Sequence, residues 1–194
     1  MPADRSRPSQ RLAVAADAPR IAALMRSSVE RLFPGFYDER QTASAAVHIA
    51  HLDPLLIEDG TYHVHEADGE IVGCGGWSRR HKLYTGSGSA AEDARLLDST
   101  TEPARVRAMF VRADWTRRGL GRAILDASEL AARAEGFTAF ALMATLPGVP
   151  LYRAYGFAER ERLPLRMPDG VVLDGVLMGR PIRPRPDPIG ESAS

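Results

Sequence analysis

The chain has a single cysteine, no excess charge of either sign and no long apolar run. Cys74 alone cannot form an intramolecular disulfide, and the polar, proline-containing start over residues 1–11 lacks the apolar core of a signal peptide. No stretch is long and apolar enough to cross a bilayer. These absences predict a chain with no membrane partner in a reducing, cytoplasmic setting.

Charge and length limit the range of partners and the number of domains. The 25 basic residues equal the 25 acidic ones, so no overall field attracts nucleic acid, and charge-based recognition must be local. At 194 residues the chain is long enough for one domain with a substantial core. We expect that domain over 11–183, with disordered tails over 1–10 and 184–194, which lack apolar periodicity.

Apolar periodicity predicts a mixed order of strands and helices. The predicted elements are a strand at 12–15, helices from the cap Asp17 to Leu32 and at 39–51, a hairpin at 61–66 and 70–78, a strand at 105–111, a helix at 119–135, a strand at 137–144, a short helix at 150–155, and strands at 159–166 and 171–179. The crossover over 105–144 predicts a parallel strand pair. The segment 79–104 is too long for a simple turn, so we expect it to be mobile or functional, for example as a lid.

Two glycines open the helix at 119 and form the most informative run of the chain, Trp115-Thr-Arg-Arg-Gly-Leu-Gly-Arg122. Glycines let the main chain approach an anion, and the first amides of a helix have no partners within it. Arg117, Arg118 and Arg122 add full charges. Residues 117–122, the glycine loop, are typical of a pyrophosphate site, and an ordinary strand-to-helix turn with solvated arginines has the same pattern. Neither a nucleoside triphosphate loop nor a dinucleotide fingerprint is complete here.

Three segments, together with the element order, resemble the GNAT superfamily of N-acetyltransferases. They are Met109-Phe-Val111, Arg117-Arg-Gly-Leu-Gly121 and Leu151-Tyr-Arg-Ala-Tyr-Gly-Phe157. The resemblance spans about residues 12–182 and implies an α/β (α+β) fold, with a mixed, mostly antiparallel sheet of about seven strands, flanking helices and a splayed parallel strand pair. The family pattern Gln/Arg-x-x-Gly-x-Gly/Ala has Thr116 at its first position here, which is a departure from the family.

The resemblance implies that the chain transfers the acetyl group of acetyl-CoA to the amine of a small molecule, by direct attack in a ternary complex and without a metal. The pyrophosphate of acetyl-CoA would bind the glycine loop, and its pantetheine arm would follow the strand that ends at Val111. The residues implied to bind acetyl-CoA are Met109, Phe110, Val111, Arg117, Arg118, Gly119, Leu120, Gly121, Arg122 and Tyr155.

Two residues are implied to catalyse the transfer. The Val111 N–H would stabilise the oxyanion formed from the thioester, an effect worth roughly 3 kcal/mol for a preorganised donor. Tyr152 would protonate the departing thiolate, because a phenol is protonated at neutral pH and can donate once. For a lone tyrosine on a short amphipathic helix, packing in the core is the ordinary role.

The strand before the glycine loop carries arginines where the family often has a Glu or His base. Arg105 and Arg107 share one face of this strand, so they would hold an anionic group of the acceptor or lower the pKa of its ammonium. Pairing with acids such as Glu66 is the ordinary alternative. Deprotonation would then fall to water, His63, His65 or Glu66. The residues expected to bind the acceptor are Arg105, Arg107 and Trp77.

Two other functions stay open. The missing base would also fit a regulatory module that binds CoA without catalysis. A metal-dependent hydrolase would use His63 with His65, or His48 with His51, although no third ligand is specified. Cys74 is expected to be a small buried residue and not a nucleophile. An exposed strand would allow a homodimer, but no residue pattern specifies one.

Overall fold

The computed structural model of the protein describes residues 7–84 and 88–182. Within these ranges the chain forms seven strands and six α-helices. The strands are β1 (Ser9–Leu12), β2 (Tyr62–Ala67), β3 (Glu70–Ser78), β4 (Ala104–Val111), β5 (Ala139–Thr145), β6 (Ala158–Arg166) and β7 (Val172–Pro181). The helices are α1 (Ala18–Leu32), α2 (Glu39–His48), α3 (Pro54–Glu58), α4 (Ala90–Ala94), α5 (Leu120–Ala134) and α6 (Val149–Tyr155).

The strands form one sheet in the order β1-β2-β3-β4-β5-β7-β6. Every neighbouring pair is antiparallel except β4 and β5, which are parallel. The parallel pairing is confined to Ala104 with Phe140 and Arg105 with Ala141, so the two strands separate toward Val111. The mixed, mostly antiparallel sheet with a splayed parallel pair is therefore confirmed.

Helices cover both faces of this sheet. Val64 on β2 packs in the apolar cluster of α1 and α2, whereas the adjacent His65 contacts the Leu120 carbonyl of α5. Because neighbouring residues of a strand point to opposite faces, α1 and α2 lie on one face and α5 lies on the other. The α5 side also carries α6, whose Tyr152 and Tyr155 pack in the cluster of α5.

Several element boundaries differ from the predicted ones. β1 lies earlier than predicted, because Ser9 to Leu12 pair with β2, so the expected tail over 1–10 loses its last two residues to a strand. The helix α2 ends three residues early, and α3 was not predicted because five residues are too few to show a helical period. Residues 1–6 and the predicted tail 184–194 lie outside the described part of the chain.

The described parts of the segment 79–104 form ion pairs with the rest of the domain. Arg80 forms an ion pair with Asp59 at 2.7 Å, and Arg79 forms one with Glu135 at 2.6 Å. Ser89 caps α4. These contacts hold the described parts against the domain, and a mobile or lid-like role for the segment stays a prediction; residues 85–87 lie outside the described ranges. Across the described chain, no helix has the length and apolar character needed to span a membrane.

Candidate active site

A cavity of about 700 Å³ lies at the gap between β4 and β5. One part of its lining belongs to the α5 side of the sheet, namely Arg117, Gly119, Leu120, Gly121, Arg122, Leu151 and Tyr152. Another part belongs to the α1 side, namely Ser28, Leu32, Phe33, Ile49, His51, Tyr84, Leu165 and Met167. The splay of the parallel pair thus joins the two faces of the sheet in a single cavity.

A bulge in β4 shapes the wall of this gap. The register between β3 and β4 shifts between Cys74 and Gly76, and Ala108 has a φ of 51°, which is uncommon for a residue with a side chain. The Tyr62 hydroxyl donates to the Ala108 carbonyl at 2.6 Å. Opposite the bulge, a Cβ on Gly75 would come within 2.3 Å of the Met109 sulfur. A side chain at this position would force Met109 to move, so a glycine suits the close packing of the bulge against β3.

The backbone N–H of Val111 points toward the gap. Val111 lies opposite Gly73 of β3, and the Arg112 N–H donates to the Val72 carbonyl at 3.0 Å. In an antiparallel ladder this makes Val111 and Gly73 a pair without mutual hydrogen bonds, so the Val111 N–H faces away from β3. On that side β5 has already separated from β4. Val111 therefore presents a donor to the cavity that it lines.

The glycine loop places unpaired amides at the start of α5. Gly119 precedes the helix with a φ of 83°, and the Ala123 N–H donates to its carbonyl at 3.0 Å. The amides of Leu120, Gly121 and Arg122 consequently have no acceptor within the helix. With the helix dipole and nearby arginines, these amides suit the diphosphate of a nucleotide cofactor such as CoA.

The three arginines of the loop have different positions. Arg117 and Arg122 line the cavity. Arg117 has a φ of 61°, a strained conformation of the kind that clusters at ligand sites. Arg118 instead lies over the Trp115 ring, 4.7 Å from its centre, and is not part of the cavity wall. Two of the three cations of the loop therefore belong to the cavity wall, and Arg122 also lies over the Tyr155 ring, 5.4 Å from its centre.

Tyr152 lies on α6 and lines the same cavity. Its ring meets the Phe157 ring edge-on at 5.8 Å, and Gly148 fits closely against its other side. Burial raises the pKa of the Tyr152 phenol above its ordinary value. The phenol is therefore protonated at neutral pH and can act as a proton donor.

Comparison with known proteins agrees with this geometry. The family model described as an acetyltransferase (GNAT) domain matches residues 58–159, which contain β4, the glycine loop, α5 and Tyr152. The chain belongs to the GNAT acetyltransferase family. No curated protein matches it.

Several solved structures share the GNAT fold with the chain. A GCN5-related N-acetyltransferase from Rhodopseudomonas palustris is 20% identical, with 91% of this chain and 97% of that chain covered and a TM-score of 0.69. PaiA N-acetyltransferase from Thermoplasma acidophilum, solved with coenzyme A, is 13% identical, with 90% and 99% covered and a TM-score of 0.63. YncA from Salmonella typhimurium, solved with acetyl-CoA, is 18% identical, with 94% and 98% covered and a TM-score of 0.60.

Tyr155 lies outside the GNAT cavity, although acetyl-CoA binding was predicted for it. Its hydroxyl is 2.7 Å from an Asp126 oxygen and 3.0 Å from a Glu129 oxygen, both on α5. Arg180 of β7 pairs with Glu129 at 3.0 Å and lies over the Tyr155 ring. The side chain therefore links α6, which carries Tyr152, to β7 and to α5, which follows the glycine loop.

The two arginines of β4 do not offer a free cation to an acceptor. Arg105 donates to the carbonyls of His81 and Pro103, at 3.3 and 3.1 Å, and does not line the cavity. Arg107 lines the cavity, but it is buried and contacts the Asp53 carboxylate at 3.5 Å. Their shared face is as predicted. Arg105 therefore lies outside the cavity wall, whereas Arg107 reaches it while paired with Asp53, and a role for Arg107 in binding an acceptor anion stays a prediction.

Trp77 is a core residue of this GNAT domain. Its side chain is 1% exposed, packs edge-on against Phe137 at 5.7 Å and does not line the cavity. The prediction that it borders the acceptor is therefore wrong. Residues 77 and 106 lie opposite each other in the sheet, so the indole belongs to the packed β3–β4 pair.

The bases suggested by the sequence also lie away from the cavity. The His65 Nε2 is 3.2 Å from the Leu120 carbonyl, and burial lowers the pKa of both His63 and His65. Glu66 pairs with Arg11 at 2.9 Å. None of the three lines the cavity. The imidazole that does line it is His51, which follows α2 and which no motif in the sequence marks as a base.

The remaining candidate groups are the side chains that could bind a metal and the thiol of Cys74. In residues 7–84 and 88–182, no group of three or more His, Cys, Asp or Glu side chains converges as a metal site would require. His48 lies 3.5 Å from Asp169. Cys74 is fully buried, and burial raises the pKa of its thiol to about 12. The prediction that Cys74 is a small core residue is confirmed.

Proposed function

We propose that this GNAT protein transfers the acetyl group of acetyl-CoA to the amine of a small molecule by direct attack in a ternary complex. One observation carries the proposal, namely the single cavity that joins the glycine loop, the Val111 N–H and Tyr152. A cavity open to both faces of the sheet holds the two substrates together, which favours direct transfer. The buried Cys74 is not placed to carry an acetyl group.

Each step uses a residue of the cavity. The glycine loop amides bind the diphosphate, which places the thioester near the Val111 N–H. The amine nitrogen attacks the thioester carbonyl carbon, and the N–H stabilises the negative charge on the oxygen. The carbon–sulfur bond then breaks, and Tyr152 gives its proton to the sulfur. Solvent returns a proton to the phenolate. The products are the amide and the CoA thiol.

The proton of the attacking amine needs an acceptor within the cavity. No Asp or Glu of the described chain lines this cavity, and the imidazole among its described lining residues is the exposed His51 on the α1 side. A neutral imidazole accepts a proton at physiological pH, whereas the buried arginine at 107 cannot. We assign the role of proton acceptor to His51.

Replacing His51 with asparagine should lower kcat by about 100-fold, because general base catalysis typically contributes that much. Added imidazole should restore part of the rate. His48→Asn is the matched control, since His48 ends α2 but does not line the cavity. Its kcat should stay within a few-fold of the parent. Full activity of His51→Asn would contradict the role of His51 as proton acceptor. It would not contradict the proposed acetyl transfer.

The proposed function is tested by measuring CoA thiol and amide in one reaction of the full chain with acetyl-CoA and a panel of primary amines. We expect one thiol for each amide formed. Raised melting temperature with CoA, but no thiol and no amide with any amine, would instead support a module that binds CoA without catalysis.

A further inference from the structure

The α1 side of the cavity, which we name the acceptor half, is mostly apolar. Six apolar side chains from separate parts of the chain line it: Leu32, Phe33, Ile49, Met143, Leu165 and Met167. The polar side chains of this half are Ser28, His51, Tyr84 and Arg107, and no carboxylate of the described chain contributes to the wall. A second positive charge on an acceptor would therefore enter this half without a partner, at a high desolvation cost.

Among the described residues of the acceptor half, Arg107 is the guanidinium, and it has an acidic partner. Arg107 is 9% exposed and lies 3.5 Å from the Asp53 carboxylate, which also pairs with Lys82 at 3.3 Å. Arg107 donates as well to the Lys82 carbonyl at 3.1 Å, and the negative charge of Asp93 acts on it. Arg107 therefore has acidic partners in the fold, although burial lowers its pKa. An anionic acceptor would have to compete with Asp53 for Arg107.

We propose that the acceptor half selects a primary amine on an uncharged, apolar body. This inference rests on the proposed function and names the substrate class for the same site. The apolar wall gains free energy by covering such a body. It also disfavours an ammonium ion, so the amine binds as the neutral nucleophile that attack on the thioester requires.

The test compares three amines with the full-length protein and acetyl-CoA: phenethylamine, 1,4-diaminobutane and β-alanine. We expect kcat/KM for phenethylamine to exceed that of either charged amine by about 100-fold, the upper range for discrimination by an apolar pocket. Faster acetylation of 1,4-diaminobutane or β-alanine would overturn the inference and leave the proposed function standing. If no primary amine were acetylated, the proposed function would fail and this inference with it.

A charge placed in the acceptor half should change the preference. Leu32 ends α1, is half-buried and lines the cavity, so Leu32→Glu would give a second ammonium a partner. We expect the ratio of kcat/KM for 1,4-diaminobutane to that for phenethylamine to rise at least about tenfold. Ile49→Glu provides the same test if Leu32→Glu does not fold.

The matched control is Val47→Glu. Val47 is 66% exposed on α2 and lies outside the cavity, so the same charge there should leave the ratio unchanged. An unchanged ratio in folded Leu32→Glu and Ile49→Glu would overturn the inference. An equal rise in Val47→Glu would also overturn it, because the overall charge of the protein would then set the preference.

Discussion

Tyr152→Phe should lower kcat for acetyl transfer by about 100- to 1000-fold, the contribution expected of a positioned general acid. The phenylalanine ring keeps the contact with Phe157 and fills the same space against Gly148, so only the hydroxyl is removed. KM for acetyl-CoA should therefore change little. Release of CoA thiol at saturating amine measures the effect directly.

The control for this prediction is Tyr155→Phe, on the same helix and one turn away. Its hydroxyl bonds Asp126 and Glu129 outside the cavity. Its loss should therefore lower the melting temperature, while kcat should stay within a few-fold of the parent.

Burial keeps the Tyr152 phenol protonated well above neutral pH. Its ionisation should therefore not limit the rate between pH 7 and 9, because this range lies below the ordinary tyrosine pKa of about 10. Equal kcat for Tyr152→Phe and the parent would refute the acid assignment.

Gly119→Val should raise Kd for CoA by about 100-fold. Gly119 has a φ of 83°, a conformation that a β-branched residue avoids. Relief of this strain would turn the first amides of α5 away from the diphosphate. Each hydrogen bond to a charged group contributes about 1.5 to 3 kcal/mol, so the loss of one or two accounts for the effect. Titration calorimetry with CoA measures it.

Gly60→Val separates backbone strain from ligand binding. Gly60 has a φ of 66° and open space around its Cα, as Gly119 does, but it lies in the turn before β2 and outside the cavity. Both variants should lose a similar amount of thermal stability. Only Gly119→Val should lose affinity for CoA. Parallel losses of affinity in both variants would mean that the glycine loop has no special role.

The features predicted correctly from the sequence are local ones. The glycine loop, the hairpin of β2 and β3, and helix α5 each depend on residues that are adjacent in the chain. The family resemblance added the splayed pair, and the partial pairing of β4 with β5 confirms it. Short helices such as α3 were not predicted, because five residues are too few to show a helical period of apolar residues.

The errors concern partners brought together from distant parts of the chain. Strand alternation correctly places Arg105 and Arg107 on one face, but it cannot show that Asp53 and the carbonyls of 81 and 82 already hold them. Likewise, the acceptor half combines residues from α1, β5 and β6 with segments between elements. His51 has no motif around it, so only the folded cavity identifies it.

The most direct test of a shared cavity is the initial rate of thiol release with acetyl-CoA and phenethylamine both varied, and with the amide measured alongside. A ternary complex in which both substrates meet at the Val111 N–H and Tyr152 predicts intersecting double-reciprocal lines and one amide for each thiol. Parallel lines, or thiol release without amide, would contradict direct transfer within this cavity.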